Sequence, residues 1–425
     1  MNPIRARLYS ARGDAALDLL PKYLKDEKPA MWDGKEGCIN CSVAENRAIG
    51  EAVSKKVEDL QKETNFLEEM VYYQDTQGMP CCREAVSEYL QELLGVPFID
   101  PNDVVIGAGC NAVLENLFVG ICERGDSVLV PSPRYATFNF DLGCRVGVEI
   151  LGNVQSLGGD GKGSEKASYY LTTEYLERQY EEAEKKPKVL LITNPHNPTG
   201  VCYPRDALEE VVKWADDKNM DVVSDEIYAG SVHGPSAAFT SLASICHDLY
   251  GGMKPNHHVV YALSKDFGLS GMRFGVLYSK SRAMEAIKKL NDMCQVSSQT
   301  QALVRDMLKD GDWVKSFRDA NNKRVRERYD RVIEALNVAG VKYLEADAGM
   351  FVWVDLREFL GGRSESELNA RIVSNGIMMT PGESMDMKAP GFFRLVFTAP
   401  TDQEFDVVVE RLKNIRDVKG AIEGV

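Results

Sequence analysis

Residues 259–279 read VVYALSKDFGLSGMRFGVLYS. In this stretch an apolar strand runs into a polar turn that carries Ser264 and Lys265, and a second apolar strand follows Arg273. A lysine at the end of a buried strand has a lowered pKa, because burial disfavours its ammonium form, and a neutral amine can form a Schiff base. Arg273 can bring a fixed cation to the same place, which suits a phosphate. On this stretch alone, a surface turn with two solvated cations is an equal alternative.

The length, charge and apolar content exclude several classes of protein. With 425 residues, the chain is long enough for a large core. A net charge of −14 and a pI near 5.1 argue against a surface for nucleic acid or an anionic membrane. The first 20 residues contain no apolar core long enough for a signal peptide, so none is expected. Polar residues interrupt the most apolar stretch, around residues 104–122, so no membrane span is expected either. We therefore predict a cytoplasmic protein.

The cysteines and histidines form no recognisable metal-binding pattern. The chain has 10 cysteines, and Cys38 and Cys41 form the only C-x-x-C pair. The 5 histidines include no H-x-x-x-H pair. This distribution favours free thiols in a reducing compartment and predicts no metal site.

Two candidate helices precede residue 103, and from there to residue 263 apolar strands alternate with helices. Candidate strands cover residues 103–107, 127–131, 146–151, 188–193, 220–226 and 257–263, and candidate helices cover residues 45–63, 81–94, 110–122 and 205–218. Continuous apolar strands separated by helices are typical of a buried, mostly parallel sheet that is covered on both faces. The expected fold class is therefore α/β.

We expect three parts in the chain. Residues 1–45 form an N-terminal arm that joins the small domain, residues 46–310 form the large domain, and residues 311–425 form a smaller α+β domain. The insert at residues 152–168 contains GGDGKG, which lacks the spacing of a P-loop, so a solvated loop is expected there.

Side chains suited to one ligand follow several of the strands, at the sheet edge where ligands of open α/β sheets bind. The turn NPHNPTG at residues 194–200 is held tight by its prolines, and Asn197 can hydrogen-bond from it into a cleft. Asp225, near the end of the next strand, needs a cationic partner such as a protonated pyridine nitrogen, and Tyr228 can bond a phenolate oxygen. A structural turn and a carboxylate that caps the next turn remain alternatives.

Two further stretches suit a phosphate and an aromatic ring. Residues 107–111 open a helix, where free backbone N–H groups at Cys110 and Asn111 favour an anion. Tyr135, in PSPRY, can stack on a ring, although a packing tyrosine explains it equally well. A phosphate cradle, a carboxylate, a phenol, a stacking ring and an amine together form the set of groups that pyridoxal 5′-phosphate (PLP) requires.

The chain resembles fold-type I PLP enzymes of the aminotransferase superfamily, and within it the 1-aminocyclopropane-1-carboxylate (ACC) synthase-like group. The resemblance is carried by VAENR at 43–47, YYQDTQGMPCCREAV at 72–86, RGDSVLVPSPRYATFNFDL at 124–142, ITNPHNPTG at 192–200, SDEIY at 224–228, YALSKDFGLSGMRFG at 261–275 and FFRLVF at 392–397. It implies an aspartate aminotransferase-like fold with a seven-stranded sheet, and a homodimer whose active sites are shared between subunits.

The resemblance also assigns roles at the cofactor ring. Lys265 would be the Schiff-base lysine and the proton shuttle, and Asp225 would keep the pyridine nitrogen protonated. Tyr228 and Asn197 would hold the ring oxygen, while Tyr135 would stack on the ring.

Further roles concern the phosphate and the substrate. The phosphate would be held by side chains or backbone amides of Ser264, Arg273, Cys110 and Asn111. Arg394 would take the substrate α-carboxylate in a bidentate pair, the alternative being a strand arginine paired with a surface acid. Glu45 would lie near the substrate entrance, with a helix-capping role as the alternative.

At three positions the sequence departs from true ACC synthases. Thr76 stands where the family has a tyrosine that reaches the neighbouring subunit, and Ala262 replaces a phosphate-binding serine. Phe140 replaces an arginine that helps to bind the sulfonium substrate, and we expect it to make the substrate side more apolar. These losses argue against ACC formation. They favour a carbon–sulfur lyase slightly over an aminotransferase, with ACC synthase as a second alternative and a non-catalytic binding protein as the least favoured interpretation.

Overall fold

A seven-stranded sheet forms the centre of the computed structural model, which describes residues 10–26, 28–152 and 166–416. Numbered along the whole chain, the strands are β1 (Ile39–Asn40), β2 (Val104–Gly107), β3 (Ser127–Leu129), β4 (Glu149–Leu151), β5 (Val189–Thr193), β6 (Asp221–Asp225), β7 (His257–Ala262), β8 (Gly275–Ser279), β9 (Lys342–Leu344), β10 (Phe351–Asp355), β11 (Ile377–Met378), β12 (Thr380–Pro381) and β13 (Phe392–Val396). The large sheet has the order β2-β8-β7-β6-β5-β3-β4.

Helices connect the strands of the large sheet and also cover the strands of the C-terminal region. They are α1 (Ala11–Asp18), α2 (Lys22–Lys25), α3 (Gly50–Glu63), α4 (Pro80–Leu94), α5 (Cys110–Ile121), α6 (Phe138–Gly143), α7 (Thr173–Glu182), α8 (Arg205–Asp217), α9 (Leu242–Tyr250), α10 (Leu263–Asp266), α11 (Met284–Leu290), α12 (Ser298–Lys309), α13 (Gly311–Val338), α14 (Glu365–Ser374) and α15 (Asp402–Lys413). Among the helices of the described residues, none combines the length and the apolar character needed to cross a membrane.

Both faces of the large sheet are buried. In β7, Val259 and Tyr261 belong to one hydrophobic cluster, whereas Val260 and Ala262 belong to a second. This alternation follows because successive side chains of a strand point to opposite faces. Helices α4, α8, α9 and α12 contribute to the first cluster, and α5 and α6 contribute to the second. The expectation of a mostly parallel sheet covered on both faces is confirmed.

Parallel pairing brings the carboxyl ends of β5, β6 and β7 to one edge of the sheet. Thr193 of β5 pairs with Asp225 of β6, and Asp225 pairs with Val260 of β7. The turns that leave β5 and β7 carry Asn197 and Lys265. Chain segments that are far apart in sequence are therefore neighbours here, as they are at ligand sites of other open α/β sheets.

A smaller antiparallel sheet follows in the chain, with the order β12-β13-β10-β9. In β13, Arg394 pairs with Trp353 of β10 on one side and Thr380 of β12 on the other. The N-terminal part joins this region because β1 pairs in parallel with β11, with Ile39 opposite Ile377. The two sheets fall within the ranges expected for the large and small domains, and the division at residues 45 and 310 stays a prediction.

Several element boundaries differ from the sequence expectation. Strand β8 is antiparallel to both of its neighbours, β2 and β7. Helix α3 begins at Gly50 rather than at Glu45, since the chain turns where the Gly50 N–H donates to the Arg47 carbonyl at 3.3 Å. The loop expected at residues 152–168 lies mostly outside the described residues, and residues 166–169 form a single 3-10 turn.

Gly275 allows β8 to lie directly against the start of α5. A β-carbon at this position would lie 2.5 Å from the Gly109 carbonyl oxygen and 2.8 Å from the Cys110 nitrogen, so Gly275→Ala forces backbone atoms apart. We expect this substitution to lower the free energy of unfolding by about 1–3 kcal/mol, as overpacking does. Thermal unfolding at a fixed protein concentration would measure the change.

Gly271→Ala is the matched control, because a β-carbon there has no neighbour within 4 Å and Gly271 is not in the left-handed region. It should change stability by less than about 0.5 kcal/mol. Equal stability of the two variants would contradict the close approach of β8 and α5.

Candidate active site

A cavity of about 350 Å³ opens at the carboxyl edge of the large sheet. It brings together most of the residues predicted to form a site: Cys110, Asn111, Tyr135, Asn197, Asp225, Tyr228, Ser264, Lys265, Arg273 and Arg394. The volume is typical of a small-molecule pocket. Residues from β6, from the turns after β5 and β7, from the start of α5 and from β13 therefore converge on one space.

Lys265 lies in α10, the short helix that follows β7. Its Nζ donates a hydrogen bond to the carbonyl of Ala44. Burial lowers the pKa of Lys265, and the charges of Arg394 and Arg273 act in the same direction, while Glu45 opposes them. The position therefore favours a neutral amine, which can act as a nucleophile or a base.

Asp225 ends β6 and is buried beside the lysine turn. Burial raises its pKa to about 7. Its Oδ1 accepts hydrogen bonds from the Ile227 N–H at 3.3 Å and from the Cys110 thiol at 3.8 Å, so it caps the following turn as well. Among the described residues it forms no ion pair. A buried carboxylate in this state is suited to a protonated ring nitrogen.

The end of the cavity near α5 is shaped to accept an anion. Gly109 has a φ of +94°, and a β-carbon there would lie 2.8 Å from Cζ of Arg273. The Arg273 guanidinium donates to the Ser270 carbonyl at 3.0 Å and to the Ala108 carbonyl at 3.4 Å. With the nearby hydroxyl of Ser264 and the free N–H groups of the helix, this arrangement fits a phosphate.

Arg394 supplies a second, deeply buried cation, with 3% of its surface exposed. Nη1 donates to Oδ1 of Asn197 at 2.8 Å, and Nη2 donates to the Ser42 carbonyl at 2.7 Å. Its Nε–H is buried and has no acceptor among the described residues. The alternative raised by the sequence, an ion pair between Arg394 and a surface acid, is not found in the described part of the chain. The guanidinium is therefore suited to a carboxylate ligand.

Two tyrosines complete the predicted set. Tyr228 packs edge-on against Phe351, with ring centroids 5.2 Å apart, and burial raises its pKa. Tyr135 packs edge-on against Phe138, also at 5.2 Å, and burial raises its pKa too. Both phenols are therefore neutral hydrogen-bonding groups at physiological pH.

Three predicted residues do not line this cavity. Glu45 lines an adjoining cleft and accepts hydrogen bonds from the Ser270 hydroxyl at 2.7 and 2.8 Å; α3 begins later, so Glu45 is not its cap. Thr76 lies in a loop, and its backbone carbonyl accepts a hydrogen bond from the Asn291 side-chain amide at 2.5 Å. Phe140 lines a separate cavity beside Arg145. Phe140 therefore does not contribute the apolar substrate wall that the sequence suggested.

The structure adds residues that the sequence analysis missed. Asp141 of α6 lines the cavity, and burial raises its pKa to about 6, although hydrogen bonds with Thr137 and Asn111 oppose the shift. Tyr23 and Leu24 of α2 also line it. Asp141 follows PSPRY closely enough to have been a candidate, whereas no local pattern singles out the two residues of the arm.

A buried carboxyl behind the lysine fixes the position of its turn. Asp266 accepts hydrogen bonds from the Gly230 N–H at 2.7 Å, the Ser231 hydroxyl at 2.5 Å and the Tyr261 hydroxyl at 2.9 Å. Gly230 and Ser231 follow Tyr228 in the chain, so Asp266 joins the lysine turn to the tyrosine turn. Burial raises its pKa to about 6.

Sequence comparison agrees with this geometry. Residues 38–412 match the family described as aminotransferase class I and II. 1-Aminocyclopropane-1-carboxylate synthase 11 of Arabidopsis thaliana is 34% identical over 398 residues, which cover 90% of this chain and 84% of that protein. 1-Aminocyclopropane-1-carboxylate synthase 1 of Oryza sativa subsp. indica is 33% identical over 403 residues, covering 90% and 81%.

Solved structures share the fold at lower identity. Aspartate aminotransferase from Thermotoga maritima has a TM-score of 0.74 and 22% identity, covering 96% of this chain and 100% of that one. An aromatic aminotransferase from Pyrococcus horikoshii OT3 has a TM-score of 0.77 and 19% identity, with coverage of 96% and 100%. Three features fit PLP: the buried Asp225, which forms no ion pair within the described residues, the anion-shaped space at Gly109 and the lowered pKa of Lys265. The chain belongs to the class I and II aminotransferase family, is similar to ACC synthases, and is a PLP-dependent enzyme.

Proposed function

We propose that this protein is a carbon–sulfur lyase that eliminates a thiol from an amino acid with a neutral thioether side chain. The observation that carries the proposal is the uneven lining of the active-site cavity. Arg394 offers one guanidinium for a carboxylate, while Leu24, Val43 and Phe138 line the same cavity with apolar groups. Such a cavity suits a substrate with one α-carboxylate and an uncharged side chain.

The number of cations supports a monocarboxylic substrate. Among the described lining residues, the cations are Lys265, Arg273 and Arg394. Lys265 is committed to the cofactor, and Arg273 lies at the phosphate end. Arg394 therefore remains for the substrate, and a second carboxylate on the substrate would be buried without a cationic partner.

The residues of the chain can carry out an elimination in a simple order. When bound, PLP supplies an electron sink for the bonding electrons at the substrate Cα. Asp225 keeps the ring nitrogen protonated, and Lys265 in its neutral form takes the Cα proton. As that proton leaves, the Cβ–S bond breaks, and its electron pair departs on sulfur as a thiolate. Hydrolysis of the remaining fragment gives pyruvate and ammonia.

Two other reactions use the same residues. Amino transfer between an amino acid and a 2-oxo acid is favoured by the structural similarity to aminotransferases. ACC formation is favoured by the sequence relatives. A non-catalytic binding protein is disfavoured, because keeping Lys265 and Asp225 buried together costs stability.

We also propose a homodimer with shared active sites. Three large side chains near the Thr76 loop are exposed: Val71 by 81%, Tyr72 by 65% and Tyr73 by 100%. An exposed apolar cluster of this kind favours an interface. A cytoplasmic location stays a prediction from the sequence.

A product assay separates the three reactions. We expect S-benzylcysteine to yield pyruvate, ammonia and free thiol in equal amounts, and Lys265→Ala to lower this rate by at least about 10³-fold, because the general base is lost. Phenylalanine with pyruvate, and S-adenosylmethionine alone, would be tested in parallel for alanine and ACC. Amino transfer without thiol release would refute the lyase.

Lys280→Ala is the matched control for that experiment. Lys280 is exposed, and its Nζ lies 3.8 Å from Oδ2 of Asp103. Its removal should leave the rate and the visible absorbance band of the lysine-linked cofactor unchanged. A wild-type protein that shows no such band after PLP is added would overturn both the cofactor site and the reaction.

Arg394→Lys tests the carboxylate site. Lysine keeps the charge but loses the two-pronged guanidinium geometry. We expect KM to rise by about 10- to 100-fold, the range for losing a hydrogen bond to a charged group, while the cofactor band persists. Arg124→Lys, on the surface, is the control. Unchanged kinetics in Arg394→Lys would remove this residue from the site.

Asp225→Asn tests the buried carboxyl through the stability of the apoprotein. An unfolded aspartate titrates near about pH 3.9, whereas the pKa of Asp225 is about 7 in the fold because of burial. The folded chain binds the extra proton between these values, so its stability falls as pH rises through them. The neutral variant should therefore unfold several degrees higher than wild type at pH 8 and depend less on pH between 5 and 8, while losing activity.

Asp126→Asn provides a control of opposite sign. Hydrogen bonds from the Glu123 N–H and from Lys185 and Lys188 lower the pKa of Asp126 to about 2. Its charge stabilises the fold above the unfolded pKa, so this variant should unfold at a lower temperature at pH 8. If Asp225→Asn also lowers the unfolding temperature at pH 8, burial of the Asp225 carboxylate does not destabilise the apoprotein.

A further inference from the structure

The short helix α2 of the N-terminal arm lies over the active-site cavity. Tyr23 and Leu24 line the cavity, although they precede every motif on which the site was predicted. The helix is attached to the C-terminal region, because Lys22 Nζ donates to the Ser366 hydroxyl at 2.8 Å. The Tyr23 ring packs against the hydrophobic cluster that contains Trp353. The arm thus adds two side chains to the cavity, and it is held in place by this hydrogen bond and by the packing of the Tyr23 ring.

The Tyr23 hydroxyl lies at the carboxylate end of the cavity. It interacts with the Thr380 hydroxyl and with the Arg394 guanidinium, and burial of its ring raises its pKa while both partners oppose the shift. Thr380 is itself engaged, since it donates to the Ser42 carbonyl at 3.0 Å and lies 3.3 Å from Nη2 of Arg394. A neutral phenol and the guanidinium proposed to bind the substrate therefore share Thr380 as a neighbour.

A phenol in this position has a specific chemical use. A carboxylate has more acceptor sites than one guanidinium can satisfy, and an O–H donor pointing at the same anion forms a short, charge-assisted hydrogen bond. Leu24, the next residue, is 44% exposed and lines the same cavity. An apolar substrate side chain would remove this surface from water.

We propose that Tyr23 donates a hydrogen bond to the substrate carboxylate held by Arg394, and that Leu24 forms an apolar roof over the substrate side chain. The arm is then part of the substrate site, and it selects amino acids with a neutral, apolar side chain. This inference rests on the carboxylate role of Arg394 in the proposed function.

The test measures binding rather than turnover. The probe is 3-(methylthio)propionate, a carboxylate that has no amino group and cannot react with the cofactor. It is titrated into the holoenzyme and followed by the change in visible absorbance. Tyr23→Phe keeps the ring and its packing, so we expect an unchanged cofactor band, an unchanged unfolding temperature and a dissociation constant raised roughly tenfold. With substrate, KM should rise while kcat changes little.

Leu24→Ala tests the second half of the inference. Wild type should bind 3-(methylthio)propionate more tightly than propionate, because the methylthio group buries apolar surface. The variant should reduce this preference by about three- to tenfold and leave propionate binding unchanged. An unchanged preference would overturn the role of Leu24.

Two further variants separate the outcomes. Tyr250→Phe removes a hydroxyl that donates to Asp216 on the surface at 2.9 Å, and it should bind the probe like wild type. If Arg394→Lys weakens probe binding and Tyr23→Phe does not, the role of Tyr23 is overturned and the proposed function stands. If Arg394→Lys binds the probe like wild type, the carboxylate site itself is wrong.

Discussion

Burial of a lysine and an aspartate side by side is the constraint on which the site depends. Removal from water lowers the pKa of Lys265 and raises that of Asp225 to about 7, so both groups are moved towards neutrality. Adjacent strands β6 and β7 set their separation, and helices on both faces keep water out. Such burial sacrifices stability. In return, it favours the neutral form in which an amine acts as a nucleophile or a base, and it leaves a buried carboxyl suited to a cationic partner.

The end of the cavity shaped to accept an anion depends on backbone atoms that approach more closely than side chains would allow. Gly275 lets β8 touch the first turn of α5, and Gly109 leaves room for the Arg273 guanidinium. Arg273 itself has a φ of +52°, a left-handed conformation that is uncommon for residues other than glycine. The backbone there is held by its surroundings, which aims the guanidinium and the helix N-terminus at the same space.

The sequence and the structure agree where local pattern and topology give the same answer. Asp225 and Lys265 follow continuous apolar strands, and parallel pairing then requires that they meet. The antiparallel β8 was not predictable, because periodicity carries no strand direction. Phe140 was assigned by its place in a motif, whereas a helix turns by about 100° per residue. Phe138 and Asp141, a turn apart, therefore share the cavity face of α6, and Phe140 points to another cavity.

Arg394 shows why the remainder of the site could not be read from local patterns. Its guanidinium contacts Asn197 after β5 and the Ser42 carbonyl in the arm, which are far away in sequence and meet it only through the β1–β11 pairing and the packing of the two sheets. Its buried Nε–H has no acceptor in the described part of the chain, and such a donor costs about 1–3 kcal/mol. A bound carboxylate would offset both this unmet donor and the buried charge. The protein without a ligand is therefore less stable at this point, and binding of an anionic ligand would stabilise it.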